Sequence, residues 1–507
     1  MKKTIFIKNA AILTISSLLL RFAGIIFKVW LAQKIGSEGI GLYQIVFSVY
    51  MFVATFATSG ICTAVTRLVS EQLAIGNKSQ IGRIMVCCIS ISCVIATISI
   101  IVLYFGSSFI ANHFLQDIRA RLSLKILGFS LPFMGICSCI KGYFIARRKA
   151  SPSSVAQLLE QTVRILLIIL LINNYNNLGL EYTCAAIIIG DTIAEAISCI
   201  FIYIRYKFDF KRLKNNNLDS SDKIHIVSSV SHIALPITAG RYLNSLLRTI
   251  ENILVPIYLA KSSVCSSGIS LFGMIKGMAL PILFFPSTLL QSLSTLLIPE
   301  ISEASICGKK LIVRSITYRI IKITGIISII FSALFLVVGK QLGFLLYKNA
   351  DVGFLLCALS PIVPFMYLDA VCDGILKGLD QQKFTFFTSI IDSVIRILLI
   401  VILLKNKGIY GFLGIMYFSN FFTAVLNVKR LIKVSGLNID FAKVFIFPTC
   451  GAFSICLILK ILLSNIFILP NFVYLVLVCF FGVMLYIVYL VFFGIIDRDD
   501  AAFLKIK

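Results

Sequence analysis

Arg21 and Lys28 stand seven residues apart inside one apolar stretch, AAILTISSLLLRFAGIIFKVWLA. At about 100° per residue, seven positions return almost to the same face of a helix, so the two cations form one basic stripe. A charge at membrane depth costs at least ~2.5–3.5 kcal/mol per residue. Such a stripe is therefore expected to face protein or a water-filled cavity. Arg241 and Arg248 repeat the spacing in a later apolar stretch, and Lys276 lies well inside another, LFGMIKGMALP. Guanidinium offers a planar fork and ammonium a compact charge, and both suit an anion, phosphate above all. These five are the candidate substrate-binding residues. Snorkelling of a long side chain from a span end is the structural alternative. The depth of Arg21 and the recurrence of the stripe in a second span weigh against it.

Acids also fall inside apolar segments. Glu160/Arg164 and Asp392/Arg396 are matched acid-to-arginine pairs at i, i+4. Each reads either as a neutralised pair that pins its helix to neighbours, or as a switch whose acid is freed to hold Na⁺ or a proton. Glu251 is a natural further acid, or a partner for Arg248 three residues earlier. Asp191 and Glu195 share a helix face and are expected to answer nearby cations. Na⁺ or H⁺ is thus the candidate coupling ion, and no other cofactor is implied.

No catalytic set emerges. There is no GxxxxGK[ST] phosphate loop. His113, His225 and His232 lie near span ends or in loops without HExxH spacing. The fifteen cysteines show no CxxC and no zinc-type cluster, and those in apolar runs, such as Cys87, Cys88 and Cys93, read as small packing residues. The loops are too short to house a hydrolase or glycosyltransferase site, so a transporter is expected rather than an enzyme.

The elements that must position these residues are membrane helices. Of 507 residues, 59% are hydrophobic and 14% charged, and the mean hydropathy is +0.98. Long uncharged runs meet the length needed to cross ~30 Å of hydrocarbon, and the short alternating segments of a barrel are absent. An all-α polytopic membrane protein follows. Fourteen spans can be drawn, at 9–33, 42–66, 84–111, 124–146, 153–173, 182–204, 226–259, 268–298, 315–346, 352–376, 384–404, 409–432, 443–464 and 472–494. Pro132, Pro236, Pro281, Pro286, Pro361 and Pro364 fall within them and are expected to bend helices. The basic N-terminal end resembles a signal peptide, but the apolar segment after it is too long and holds Arg21, so it is expected to persist as the first span.

The net charge of +25 sits mostly in short connections. That favours topology over nucleic-acid binding, for which no basic domain exists. Connections after even-numbered spans hold most of the Lys and Arg, which is expected to place both termini in the cytoplasm. The longest polar connection, 205–223 (RYKFDFKRLKNNNLDSSDK), divides the chain. Expected domains are an N-lobe of six spans (1–223), a C-lobe of six (224–437) and a final helix pair (438–507). The lobes repeat internally. Pro132-Phe133-Met134 recurs as Pro364-Phe365-Met366, and with the same offset EQTVRILLIILL (160–171) lies over DSVIRILLIVIL (392–403). Parallel repeats with equal span numbers place a cavity between the lobes.

RFAGIIFK followed by AQKIGSEGIGLY (Arg21 to Tyr43), then SGICTAVTRLVSE (59–71), LFGMIKGMALPILFFPSTLLQSLSTLLIPEISEA (271–304) and DAVCDGILKGLDQQ (369–382) carry a family resemblance. In their order and with fourteen spans they resemble the multidrug/oligosaccharidyl-lipid/polysaccharide exporter superfamily. Within it the match is to the group of stage V sporulation protein B and other polysaccharide-biosynthesis membrane proteins, related to lipid II flippases. The resemblance implies a MATE-like fold that moves a polyprenyl-diphosphate-linked sugar precursor across the membrane by alternating access, in peptidoglycan or other envelope synthesis, including the spore cortex. It also implies basic residues on spans one, two and eight. Arg21 matches the first, Lys28 falls beside another, and Lys276 matches the span-eight position, whereas Ala54 stands near the place of the span-two arginine. Partners would be the lipid-linked anionic precursor, membrane lipids and cell-wall synthesis enzymes. Two alternatives remain: a drug or metabolite cation antiporter of the same fold, and a non-transporting scaffold for cell-wall enzymes.

Overall fold

Leucine, isoleucine, valine and phenylalanine fill runs too long and too apolar for a soluble core. With no water to bond backbone amides in hydrocarbon, such runs must close their hydrogen bonds within helices. The computed structural model describes residues 2–58, 60–76, 78–149, 151–175, 179–211, 223–262, 267–438, 440–466 and 471–495, which are helical nearly throughout. Most of the 205–223 connection lies outside the described residues, as do the side chains of His225, His232 and Pro236. The helices are α1 (Lys2–Thr58), α2 (Ile61–Ile75), α3 (Lys78–Phe109), α4 (Ala120–Leu127), α5 (Leu131–Ala146), α6 (Ser151–Tyr175), α7 (Leu180–Lys211), α8 (Lys223–Ala260) and α9 (Gly268–Phe272). There follow α10 (Leu280–Phe284), α11 (Ser287–Ile306), α12 (Lys310–Tyr347), α13 (Ala350–Leu359), α14 (Val363–Gly378), α15 (Gln382–Leu399), α16 (Lys405–Ser435), α17 (Phe447–Ile466) and α18 (Asn471–Phe492).

Ten stretches of described residues are long and apolar enough to cross a membrane. Two of them, Leu19–Ile75 and Gln382–Ser435, each hold two of the expected spans. The joins are glycine kinks: Gly36 at φ 71° in α1 and Gly408 at φ 51° in α16. Both lie between the expected span ends. α8 and the segment 268–306 carry the remaining two spans, which reconciles the count with fourteen.

The expected second span, 42–66, is not one helix. Gly60 adopts φ 76° between α1 and α2, a conformation that only glycine enters without strain. A Cβ there would lie 2.2 Å from Thr238 Oγ1 and 2.8 Å from the Ala234 carbonyl. The missing side chain lets α8 approach the break. Spans four and ten are likewise split by short 3₁₀ turns, Gly128–Ser130 and Ser360–Ile362, at the expected prolines.

The chain divides into two compact units. The first comprises Met1–Phe27, Lys34–Ile257 and Gly268–Ser270, and thus includes most of α8. Its core gathers Val65, Val69, Met85, Ile140, Tyr143 and Ile202 from α2, α3, α5 and α7. The second comprises Lys28–Gln33, Tyr258–Ser267 and Leu271–Lys507. There α12 is the scaffold, packed by α11, α13, α14, α17 and α18, with Ala333, Leu334, Cys456, Val478 and Tyr486 in its core.

Candidate functional site

Within the first unit two polar stripes face each other. From α1 come Gln44, Ser48, Met51, Thr55 and Thr58, spaced by threes and fours on one face. From α8 come Arg241, Asn244, Ser245, Arg248 and Asn252, spaced the same way. Three hydrogen bonds hold the stripes in register: Asn252 Nδ2 donates to Ser48 Oγ at 3.0 Å, Thr249 Oγ1 to the Ser48 carbonyl at 3.2 Å, and Thr55 Oγ1 to Ser245 Oγ at 3.3 Å. Tyr242 stacks on Phe56 with ring centres 4.0 Å apart. Between the stripes lies a cavity of about 490 Å³. Both arginines are exposed to it, neither makes an ion pair among the described residues, and no carboxylate lines it. A concave site with two guanidinium forks and a wall of amides and hydroxyls can bond an anion that also carries hydroxyl groups.

A second cavity of about 250 Å³, also in the first unit, shares Thr58 with the first and has the opposite character. Glu160, Glu195 and Lys141 line it. Arg164 bonds Glu160 at 2.8 Å and lies 2.9 Å from Asp191, so one guanidinium serves two acids. Glu195 is 8% exposed and makes no ion pair among the described residues. Its oxygens accept instead from the Tyr50 hydroxyl, at 2.8 and 3.0 Å, and Ser130 Oγ lies 2.7 Å from the same hydroxyl. Of the two acids expected to answer cations on this face, Asp191 does and Glu195 does not. Its buried carboxylate is held by a phenol.

The remaining expected residues fall elsewhere. Arg21 and Lys28 are both exposed on α1, Arg21 within the first unit and Lys28 in a short stretch counted with the second. Lys276 sits partly buried in a π-helical segment, Gly273–Ala279. Glu251 is buried on α8. Asp392, only 3% exposed, accepts from Arg396 Nε at 2.9 Å and from Ser419 Oγ at 2.6 Å.

Three groupings escaped the sequence reading. Tyr50 and Ser130 at Glu195 are one, and the Asn427 amide on Asp369 Oδ1 at 2.7 Å is another. The third is Arg119, which bonds Asp117 at 2.8 Å and Glu38 at 2.9 Å where α3 turns into α4. The Asp117 hydrogen bonds, with Glu38 adding, hold that guanidinium's pKa above its ordinary value. The signal for the first two was the intramembrane acid itself, which demands a partner. Which hydroxyl or amide supplies it depends on contacts between residues far apart in the chain.

A family model described as "Polysaccharide biosynthesis protein" matches residues 6–305. The chain is 26% identical over 422 residues to stage V sporulation protein B of Bacillus subtilis (strain 168), covering 82% of this chain and 80% of that one. It is 21% identical over 457 residues to the lipid II flippase MurJ of the same organism, covering 84% and 82%. Among solved structures, lipid II flippase MurJ in an inward closed conformation superimposes with a TM-score of 0.73 at 15% identity, covering 95% of this chain and 98% of that one.

Proposed function

The chain belongs to the polysaccharide biosynthesis protein family, and we propose that it works there as a flippase. Its cargo would be a polyprenyl-diphosphate-linked sugar precursor of the cell envelope, carried across the bacterial cytoplasmic membrane by alternating access. The observation that carries this reading is the cavity walled by Arg241 and Arg248 with amides and hydroxyls and without a carboxylate. A diphosphate-linked sugar cannot enter hydrocarbon unaided, because each polar group stripped of water costs several kcal/mol. Guanidinium forks replace that lost hydration, amides and hydroxyls meet the sugar, and the polyprenyl chain stays in lipid. Arg21, Lys28 and Lys276 would serve the same anion along its path. The relatives named above, one a lipid II flippase, support the class of cargo.

In this proposal the repeat defines two six-span lobes with a C-terminal helix pair, and both termini lie in the cytoplasm. Na⁺ or H⁺ is the coupling ion, with Glu160, Asp392 and Glu251 as the acids that would hold it. A cation antiporter would need acids in the substrate cavity, and the cavity beside α8 has none.

The test is complementation in the source organism with Arg21, Arg241 and Lys276 neutralised together. Loss of function with a lipid-linked intermediate accumulating on the cytoplasmic face is the expected result. Full function of the triple variant would end the carrier assignment, and a scaffold for cell-wall enzymes would then fit better.

A further inference from the structure

Lys141 is a cation inside a stretch long and apolar enough to span a membrane, Ala120–Ala146. It lies on α5 and lines the cavity of about 250 Å³ together with Glu160 and Glu195. An ammonium at membrane depth is costly and marks a partner or a function. The carboxylates that share its cavity are already served, Glu160 by Arg164 at 2.8 Å and Glu195 by the Tyr50 hydroxyl at 2.8 Å. Lys141 itself is only partly buried and makes no ion pair among the described residues. Backbone contacts fix its place. A Cβ on Gly142 would lie 2.7 Å from the Cys62 carbonyl, so α5 and α2 meet there with no side chain between them. Thr66 Oγ1 donates to the Gly142 carbonyl at 3.2 Å. Ser138, three residues before Lys141 and on the same helix face, donates to the Thr58 carbonyl at 3.2 Å. Thr58 lines both cavities of the first unit. Cys62, one turn beyond the Gly60 break, feels the charge of Lys141 and of Arg241 alike. These two cations therefore approach the junction of the cavities, one lining each.

On the flippase reading above, we infer that Lys141 is a further ligand for the phosphate groups of the cargo, acting at this junction beside Arg241. On that reading α5 ends in the cytoplasm at Ala146. Lys141 then stands about 7.5 Å from the inner end of its helix, on the side from which the cargo enters. A compact ammonium on a flexible stem suits an anion that moves past it. The rival role is a counter-ion for Glu160 and Glu195, and it predicts a different dependence on those acids.

The experiment measures binding of farnesyl diphosphate to the full chain in detergent, with farnesol as the uncharged control for the tail. Lys141→Gln is expected to weaken diphosphate binding roughly tenfold, the worth of one charge-assisted hydrogen bond, and to leave farnesol binding unchanged. Lys141→Arg is expected to recover most of the affinity. The loss is expected to be the same beside Glu160→Gln or Glu195→Gln, because the ammonium acts on the ligand and not on either acid. Wild-type affinity in Lys141→Gln, or a loss that vanishes beside either acid substitution, would make Lys141 a counter-ion and overturn the inference. Should Lys141→Gln not fold, Lys141→Met carries the same comparison. If both neutral variants fold only when an acid is also neutralised, that again marks a counter-ion and overturns the inference. Arg241→Gln separates the two readings: if it weakens diphosphate binding and Lys141→Gln does not, the inference alone falls. If a folded, monodisperse wild type binds farnesyl diphosphate no better than farnesol, the flippase reading itself falls, and the inference falls with it.

Discussion

Glu195 receives one hydroxyl on two oxygens. That makes Tyr50 the residue whose loss is most easily read, because the acid is buried and no cation among the described residues stands in for it. Taking away one partner of a buried hydrogen bond leaves the other unsatisfied, at about 1–3 kcal/mol and more where a charge is involved. Tyr50→Phe is therefore expected to lower thermal stability in detergent by that order. Glu195→Gln removes the acid that the phenol serves, so Tyr50→Phe is expected to cost less in its presence than alone. A double-mutant cycle measures the difference. Strict additivity would mean that the phenol packs beside the acid without supporting it. The sequence pointed to a cation beside Glu195; the partner is instead a hydroxyl 145 positions away, which leaves no periodic trace.

Glycines decide how closely the helices approach, and one pair is bare on both sides. Gly339 and Gly343 on α12 form a GxxxG face, the small-residue spacing that lets membrane helices touch backbone to backbone. A Cβ on Gly343 would lie 2.4 Å from the Cα of Gly353 on α13, and one on Gly353 would lie 2.9 Å from Lys340 Cα. Backbone cannot yield as a side-chain tip can. Gly353→Ala is thus expected to force the helices apart at about 1–3 kcal/mol. Gly414→Ala on α16, with nothing within 4 Å of the added carbon, is expected to be neutral or to stabilise, since alanine exceeds glycine in helix propensity by ~1 kcal/mol. Equal thermal shifts for the two variants would refute the packing argument. Much at this scale was legible beforehand. The glycine kinks at Gly36 and Gly408 fall between expected span ends, and prolines marked the 3₁₀ turns. The break at Gly60 was hidden inside an apolar run, because the helix that fits against it, α8, comes from far along the chain.

The internal repeat extends from sequence into backbone. α5 and α14 begin 232 residues apart, at Leu131 and Val363, each after a three-residue 3₁₀ turn, and end at Ala146 and Gly378 with the same offset. The offset also carries Glu160/Arg164 onto Asp392/Arg396. What was not legible is that the copies differ in load. Arg164 sits between two acids, Glu160 and Asp191, whereas the Asp392 carboxylate accepts from Arg396 with Ser419 as an added donor. Removing one member of a buried ion pair costs about 3–5 kcal/mol, because the other charge stays buried and uncompensated. Arg396→Gln strands the Asp392 carboxylate, which keeps its serine. Arg164→Gln strands two carboxylates close enough to repel each other, of which Asp191 keeps the Tyr43 hydroxyl at 3.4 Å. The first-unit variant is therefore expected to be the less stable of the two when unfolding is followed in detergent. Adding Asp392→Asn is expected to return most of the stability lost to Arg396→Gln. The Arg164→Gln variant is expected to need both Glu160→Gln and Asp191→Asn for the same recovery. Rescue of Arg164→Gln by a single acid substitution would show that the other carboxylate already holds a proton, and that the two copies of the repeat carry the same charge after all.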